Sequence, residues 1–332
     1  MRILRWIATS LLMLVPLASP TAAQSETINV GFSNIAGAEL PLWVAADEGY
    51  FSRHGLNVKP QLISGGANTV AALLAGQVQL ADAGGSEALN AVSNGADLVV
   101  VGNLSPVYPY VLEVTSDINS PADLVGKKIG VATFGGSADV ATRVVLRQNG
   151  IDPDKDVTFI ATGSSANRTA ALMSGAIQAG MAGGPPDTIE LEAQGLHPLI
   201  DLAALKLPTA NATIIAKREW VNANRDAVQA YIDSLVEAAT HLKQDKPGTV
   251  AVLKKYFKSD DDSAMTAAYD FFANEVTPSL PYPIADQFAD AVSQLSVNNP
   301  RIADVDLGNL LDPSFVQSAA DRGLSGVMPQ SN

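Results

Sequence analysis

AALLAGQVQLADAGG, residues 71–85, aligns with AALMSGAIQAGMAGG, residues 170–184, at an offset of 99, and eight of the fifteen positions are identical. Asn68 matches Asn167 just upstream, and the same offset lays Val30-Gly31 on Ile129-Gly130. Each copy runs from an amphipathic stretch through a short β-rich run into a Gly-Gly turn. That order predicts two halves, each built as strand, helix, strand, helix, with the turn at a strand end.

Outward from the repeat, short β-rich runs alternate with amphipathic stretches of about a dozen residues, the pattern of βα units around mainly parallel sheets. Strands are predicted at 27–32, 57–63, 80–83, 98–103, 128–132, 157–161 and 177–181. After Arg218 the style changes: 225–242, 249–257, 262–274 and 284–295 read as successive helices, a tail packed on one of the two lobes.

In open α/β sheets ligands bind beyond the carboxyl ends of the strands, where helix N-termini offer unpaired N–H groups. The turns at those ends hold Ser33 and Asn34, then Ser64, Gly65 and Gly66, then Gly85 and Ser86, then residues 103–105 in the first half. In the second half they hold Thr133, Phe134, Gly136 and Ser137, then Ser164 and Arg168, then Gly184 and Asp187, and both repeated pairs, Gly84-Gly85 and Gly183-Gly184, are expected to line one cleft between the lobes. Gly, Ser and Asn permit close backbone approach and cap helices, so each turn reads either as an ordinary cap or as part of a ligand site. GGSAD from Gly135 is the best single place for N–H groups to meet a carboxylate or sulfonate. Arg168 is the only basic residue in these turns, which argues against a multiply charged phosphate ligand.

Glu87 and Asp187 fall in first helical turns, where a carboxylate suits the helix dipole; facing the cleft, either would favour a ligand with an amine or hydroxyl. Tyr108 and Tyr110 flank Pro109 and could wall a ligand or pack in the core. Trp43, beside Leu40, Leu42 and Val44, reads as core.

Arg2 and Arg5, the apolar run at 7–17 and the small residues before Gln24 have the anatomy of a secretory leader, with cleavage expected after Ala23. The apolar run is short of the ~20 residues a membrane span needs. The remaining 309 residues suit two lobes. The formal charge of −13 makes nucleic acid and anionic membranes poor partners. There is no cysteine, which removes disulfides, thiol nucleophiles, lipoprotein acylation and cysteine metal sites. His54, His197 and His241 are single and scattered, and neither GGS is followed by the glycine of a nucleophile elbow. No catalytic residue, metal ligand or cofactor is expected.

Three segments in order carry a resemblance: LPLWVAADEGYFSRHGLNV from Leu40, GGANTVAALLAGQVQLADAG from Gly65 and SPADLVGKKIGVATFGGSA from Ser120. Up to about Lys258 the chain resembles the nitrate, sulfonate, taurine and thiamine-precursor class of ABC-transporter substrate-binding proteins. The resemblance implies an α/β type II periplasmic binding fold: two Rossmann-like lobes with a cleft and a two-crossover hinge. Crossovers are expected near Val114 and Ala210, making lobe one 24–113 plus 211–332 and lobe two 114–210. It further implies a monomeric periplasmic receptor that takes a small molecule in the cleft and docks on the membrane permease of an ABC importer. The fold is shared with thiamine-pyrimidine synthases, whose cysteine-rich motif has no counterpart here. A periplasmic enzyme, or a sensing partner using the same cleft, is the alternative. The ligand expected from the turns carries at most one strong negative charge, held around Gly136, Ser137 and Ser64.

Overall fold

Apolar β-branched runs separated by helices build two five-stranded sheets in the computed structural model, which describes residues 27–326. The expected leader, 1–23, lies outside the described residues. The first sheet has the order β2-β1-β3-β10-β4, from β1 (Thr27–Phe32), β2 (Asn57–Leu62), β3 (Leu80–Ala83), β4 (Leu98–Asn103) and β10 (Thr213–Lys217). The second has the order β7-β6-β8-β5-β9, from β5 (Val111–Val114), β6 (Lys128–Val131), β7 (Thr158–Ala161), β8 (Ala179–Ala182) and β9 (His197–Asp201). In each sheet the first three strands are parallel, and the strand that arrives straight after a crossover runs antiparallel: β10 against β3 and β4, β5 against β8 and β9.

The repeat maps onto this geometry without slippage. Helix Gly66–Leu74 and strand β3 recur 99 residues later as helix Ser165–Met173 and strand β8. The seven predicted strands are present with ends shifted by no more than two residues. β5, β9 and β10 were not anticipated. β5 has only four residues, one of them Glu113, and β9 contains Pro198, tolerated there because β9 is an edge strand. β5 also corrects the first crossover: it pairs inside the second sheet, so the chain changes sheets between Asn103 and Val111, upstream of Val114. The return runs between Asp201 and Thr213.

The tail is helical, with Arg225–Gln244, Lys246–Phe257 and Asp262–Phe271 packed on the first sheet. Trp43 lies in that core, its ring stacked on Tyr256 with centroids 4.5 Å apart. Burying a large apolar side chain contributes about 1.5–3 kcal/mol, so this cluster anchors the tail firmly. Helix Ala289–Leu295 departs from the rest of the tail and packs on helix Ser137–Gln148 of the second lobe, with Val140 and Val144 joining Phe288, Ala291 and Leu295.

Candidate functional site

The parallel strands of both sheets point their carboxyl ends at one another, and the turns beyond them enclose a cavity with about 80 Å³ of free space. Ser33, Asn34, Gly65, Gly66, Gly84, Glu39 and Glu87 line it from the first lobe; Thr133, Gly136, Ser137, Ser164, Arg168, Gly183 and Asp187 line it from the second. The crossovers close the remaining side with Pro109, Tyr110, Asn211 and Ala212, and the Tyr110 hydroxyl donates to Asn211 Oδ1 at 2.7 Å. A wider hollow of about 440 Å³ shares Ser33, Asn34, Ser164 and Asp187 with the cavity and adds Ser64 at its rim.

Ten of the sixteen residues expected at the site, fifteen from the turns and Tyr108, thus meet at one cavity: Ser33, Asn34, Gly65, Gly66, Thr133, Gly136, Ser137, Ser164, Arg168 and Asp187. The structure places the other six elsewhere. Besides Ser64 at the rim, Phe134 is 62% exposed in an outer groove of about 360 Å³ between helices Gly66–Leu74 and Gly85–Ser93. Tyr108 is buried and directs its hydroxyl to Asp290 Oδ2 at 3.3 Å. Gly85 and Gly184 turn away: a Cβ on Gly85 would lie 2.5 Å from the Ala210 Cβ, and one on Gly184 2.6 Å from the Phe271 ring. The first glycine of each repeated pair, Gly84 and Gly183, is the one that lines the cavity. Ser86 is buried and acts through its neighbour, donating to Glu87 Oε2 at 2.8 Å.

Glu87 alters the reading of GGSAD. Its carboxylate crosses from the first lobe to the start of helix Ser137–Gln148, where Ser137 Oγ lies 3.5 Å from Oε2 and a Cβ on Gly136 would lie 2.9 Å from Oε1. Burial pushes this carboxyl up, while bonds from Ser86 and from the Ser137 amide and hydroxyl pull it back. The anion place at that helix start is therefore taken by the protein's own side chain. Asn90 Nδ2 donates to the Gly135 carbonyl at 3.3 Å and adds a second tie between the lobes.

The other charged groups are less well matched. Arg168 is 2% exposed, and its Nη1 has no hydrogen-bond partner among the described residues. Its stem lies over Gly130 and Gly180 of β6 and β8, with Cγ at 3.3 and 3.2 Å from where their Cβ atoms would stand, so only bare backbone leaves it room. Burial lowers its pKa, opposed by Tyr110 and then Asp187. Asp187 is pushed up by burial and held back by Arg168. Across the cavity Glu39 is 2% exposed, and Asp82 lies behind it, 1% exposed; apart from each other, neither Glu39 Oε2 nor the Asp82 oxygens have a hydrogen-bond partner among the described residues. Burial drives both pKa values up; the charge of Asp82 and a hydrogen bond between the two carboxyls raise Glu39 further, and the same bond holds Asp82 back. Glu39 was missed from the sequence because it precedes a strongly apolar helix, and only packing reveals that its carboxyl turns to the cavity.

The family model described as NMT1/THI5 like matches residues 38–247. The chain belongs to that family. A protein of Brucella abortus (strain 2308), provisionally named a binding protein, is 27% identical over 256 residues, 75% of this chain and 78% of the relative. Among solved structures, the alkanesulfonate-binding protein SsuA of Xanthomonas axonopodis pv. citri, bound to MOPS, superposes with a TM-score of 0.71 at 21% identity, covering 90% of this chain and 99% of the other. The periplasmic nitrate-binding protein NrtA of Synechocystis PCC 6803 gives 0.72 at 15%, covering 90% and 89%. At these identities the likeness establishes the fold, that of the periplasmic binding proteins.

Proposed function

We propose that this family member is a solute receptor working outside the cytoplasm, which captures a small molecule between its lobes and hands it to the membrane permease of an ABC importer. The observation that carries this reading is the cavity walled by strand-end turns from both sheets and closed by the two crossovers. Two chain crossings beside a cleft form a hinge, and hinge closure around a ligand is the economical way for such a molecule to report occupancy. The names of the relatives support it: one is a binding protein, and two of the solved structures are an alkanesulfonate-binding and a nitrate-binding protein. Among the described residues no helix is long and apolar enough to cross a membrane, which suits a receptor that docks on a separate permease. The ligand-contacting set is read as Ser33, Asn34, Gly65, Gly66, Thr133, Gly136, Ser137, Ser164, Arg168 and Asp187, with Glu39, Glu87 and Tyr110 added. The protein works as a monomer.

Native mass spectrometry of protein purified from its own secretion route tests the reading. A single small molecule bound one to one, released unchanged on denaturation, is expected. Recovery of a chemically altered compound after incubation would replace the receptor by an enzyme.

A further inference from the structure

The carboxylate of Glu87 sits between two helix starts. It belongs to the first turn of helix Gly85–Ser93 in the first lobe and reaches the start of helix Ser137–Gln148 in the second. Ser86 Oγ donates to Oε2 at 2.8 Å, Ser137 Oγ lies 3.5 Å from the same oxygen, and the amides of Glu87 itself and of Ser137 add bonds of their own. Glycines from three turns make the room. A Cβ on Gly66 would lie 2.7 Å from Oε1 and one on Gly136 2.9 Å from it, while one on Gly84 would strike Oε2. Free N–H groups and the helix dipole make such a place favourable for negative charge. Here that charge comes from within the chain, on a tether, and bare backbone from both lobes is fitted around it.

The rest of the cavity offers an incoming anion little. Glu39 and Asp187 line it beside Glu87, against the guanidinium of Arg168, which already interacts with the charge of Asp187. We propose, resting on the receptor reading above, that Glu87 is a resident counter-anion and the residue that sets which charges the cavity admits. It holds the place at Ser137 against any carboxylate or sulfonate, so that a ligand presents an uncharged or positive group there. The GGSAD turn, the expected anion site, is thereby turned into its opposite. Because Glu87 belongs to one lobe and its place to the other, the same contact ties the lobes without any help from a ligand anion.

The test removes the tethered charge and offers it back in free form. Glu87→Ala deletes an acetate-sized piece of side chain, and acetate and its neutral isostere acetamide are titrated by calorimetry at constant ionic strength. Glu87→Ala should bind acetate roughly tenfold or more tightly than the unaltered protein does, a difference of about 1.4 kcal/mol, with no such gain for acetamide. Glu87→Gln, which keeps the place filled, should stay within about threefold of the unaltered protein. The gain should persist when Arg168→Gln is added to Glu87→Ala. The proposal is overturned if acetate gains nothing, or if acetamide gains as much, which would mean an empty hole. It is equally overturned if Glu87→Gln gains as much, which would mean relief of repulsion, or if Arg168→Gln abolishes the gain, which would put the anion at Arg168. Crystals of the unaltered protein grown with acetate decide the matter even where a variant fails to fold: Glu87 still on Ser137 is expected, and acetate in its place overturns the assignment. These outcomes bear on Glu87 alone and leave the receptor reading standing, whereas recovery of a chemically altered compound would overturn the receptor reading instead.

Discussion

The two lobes share a strand order and a 99-residue repeat, yet the residues at equivalent places differ in polarity. Asp82 has Met181 as its counterpart, Glu39 has Ala138, and Arg168 has Thr69. The glycines, by contrast, are kept in place: Gly84 corresponds to Gly183 and Gly85 to Gly184. Duplication therefore supplied a frame in which the same turns approach one cavity from two sides, while the charge on each side was set independently. The difference teaches that backbone geometry is the symmetric part of this molecule and electrostatics the asymmetric part.

The sharpest way to break the comparison is at the first glycine of each pair. A Cβ on Gly84 would stand 2.0 Å from Ser137 Oγ and 2.3 Å from Glu87 Oε2, both at the contact between the lobes. On Gly183 it would meet only Asp187 Oδ2, at an ordinary 3.9 Å. Overpacking costs about 1–3 kcal/mol, so Gly84→Val should weaken ligand binding roughly 5- to 150-fold. Gly183→Ala should change it by about twofold or less. Equal losses in a titration of the two variants would end the asymmetry argument.

The second glycines should instead agree. Gly85→Ala drives a methyl into Ala210 and Phe288, and Gly184→Ala meets Phe271 from a backbone with φ of 76°. Each is expected to destabilise by about 1–3 kcal/mol. Thermal melts of the ligand-free protein should show losses of about 2–4 °C per kcal/mol.

A third experiment uses Glu113. In register against β8 it opposes Gly180, the place that Ile215 of β10 takes opposite Ala81 in the first sheet. Both are fully buried, but Glu113 has no partner for either oxygen. Burial, then the charge of Glu192, raises its pKa from 4.5 to about 7. The folded state thus holds the proton more tightly than the unfolded one, and stability falls as pH rises from about 4.5 to about 7. Glu113→Gln should raise the melting temperature at pH 8, by the equivalent of about 1–3 kcal/mol, and leave it nearly unchanged at pH 4. A gain that is the same at both pH values would show that packing, not charge, is at issue.

The smallest effect is expected at Ser137, whose hydroxyl is 3.5 Å from Glu87 and 3.2 Å from Ser86 Oγ. Ser137→Ala should cost about 0.5–1.5 kcal/mol of binding, roughly 2- to 12-fold, if this contact holds the lobes together. An unchanged affinity would shift the weight of closure onto Asn90 and the Gly135 carbonyl.

Much of this was legible in the sequence, and the reason is local. Strand and helix periods, the repeat and the Gly-rich turns are written in neighbouring residues, so seven of the ten described strands and ten cavity residues followed from local pattern. The three unanticipated strands depend on partners more than 60 residues away or on an edge position, which no local pattern records. The family resemblance supplied the two crossings, but the position of the first needed the pairing of Val111–Val114 with β8.

By itself the sequence determined a duplicated α/β scaffold, its turn chemistry and its lack of thiols, because each is a property of residue type and short-range order. Only the tertiary structure decided which glycine of a pair faces the cavity, that Glu87 fills the helix start at Ser137, and that Glu39, backed by Asp82, shares one cavity with Arg168. The physical reason is that a charge is costly or useful according to what surrounds it once water is removed, and its surroundings here are assembled from segments about 50 to more than a hundred residues apart.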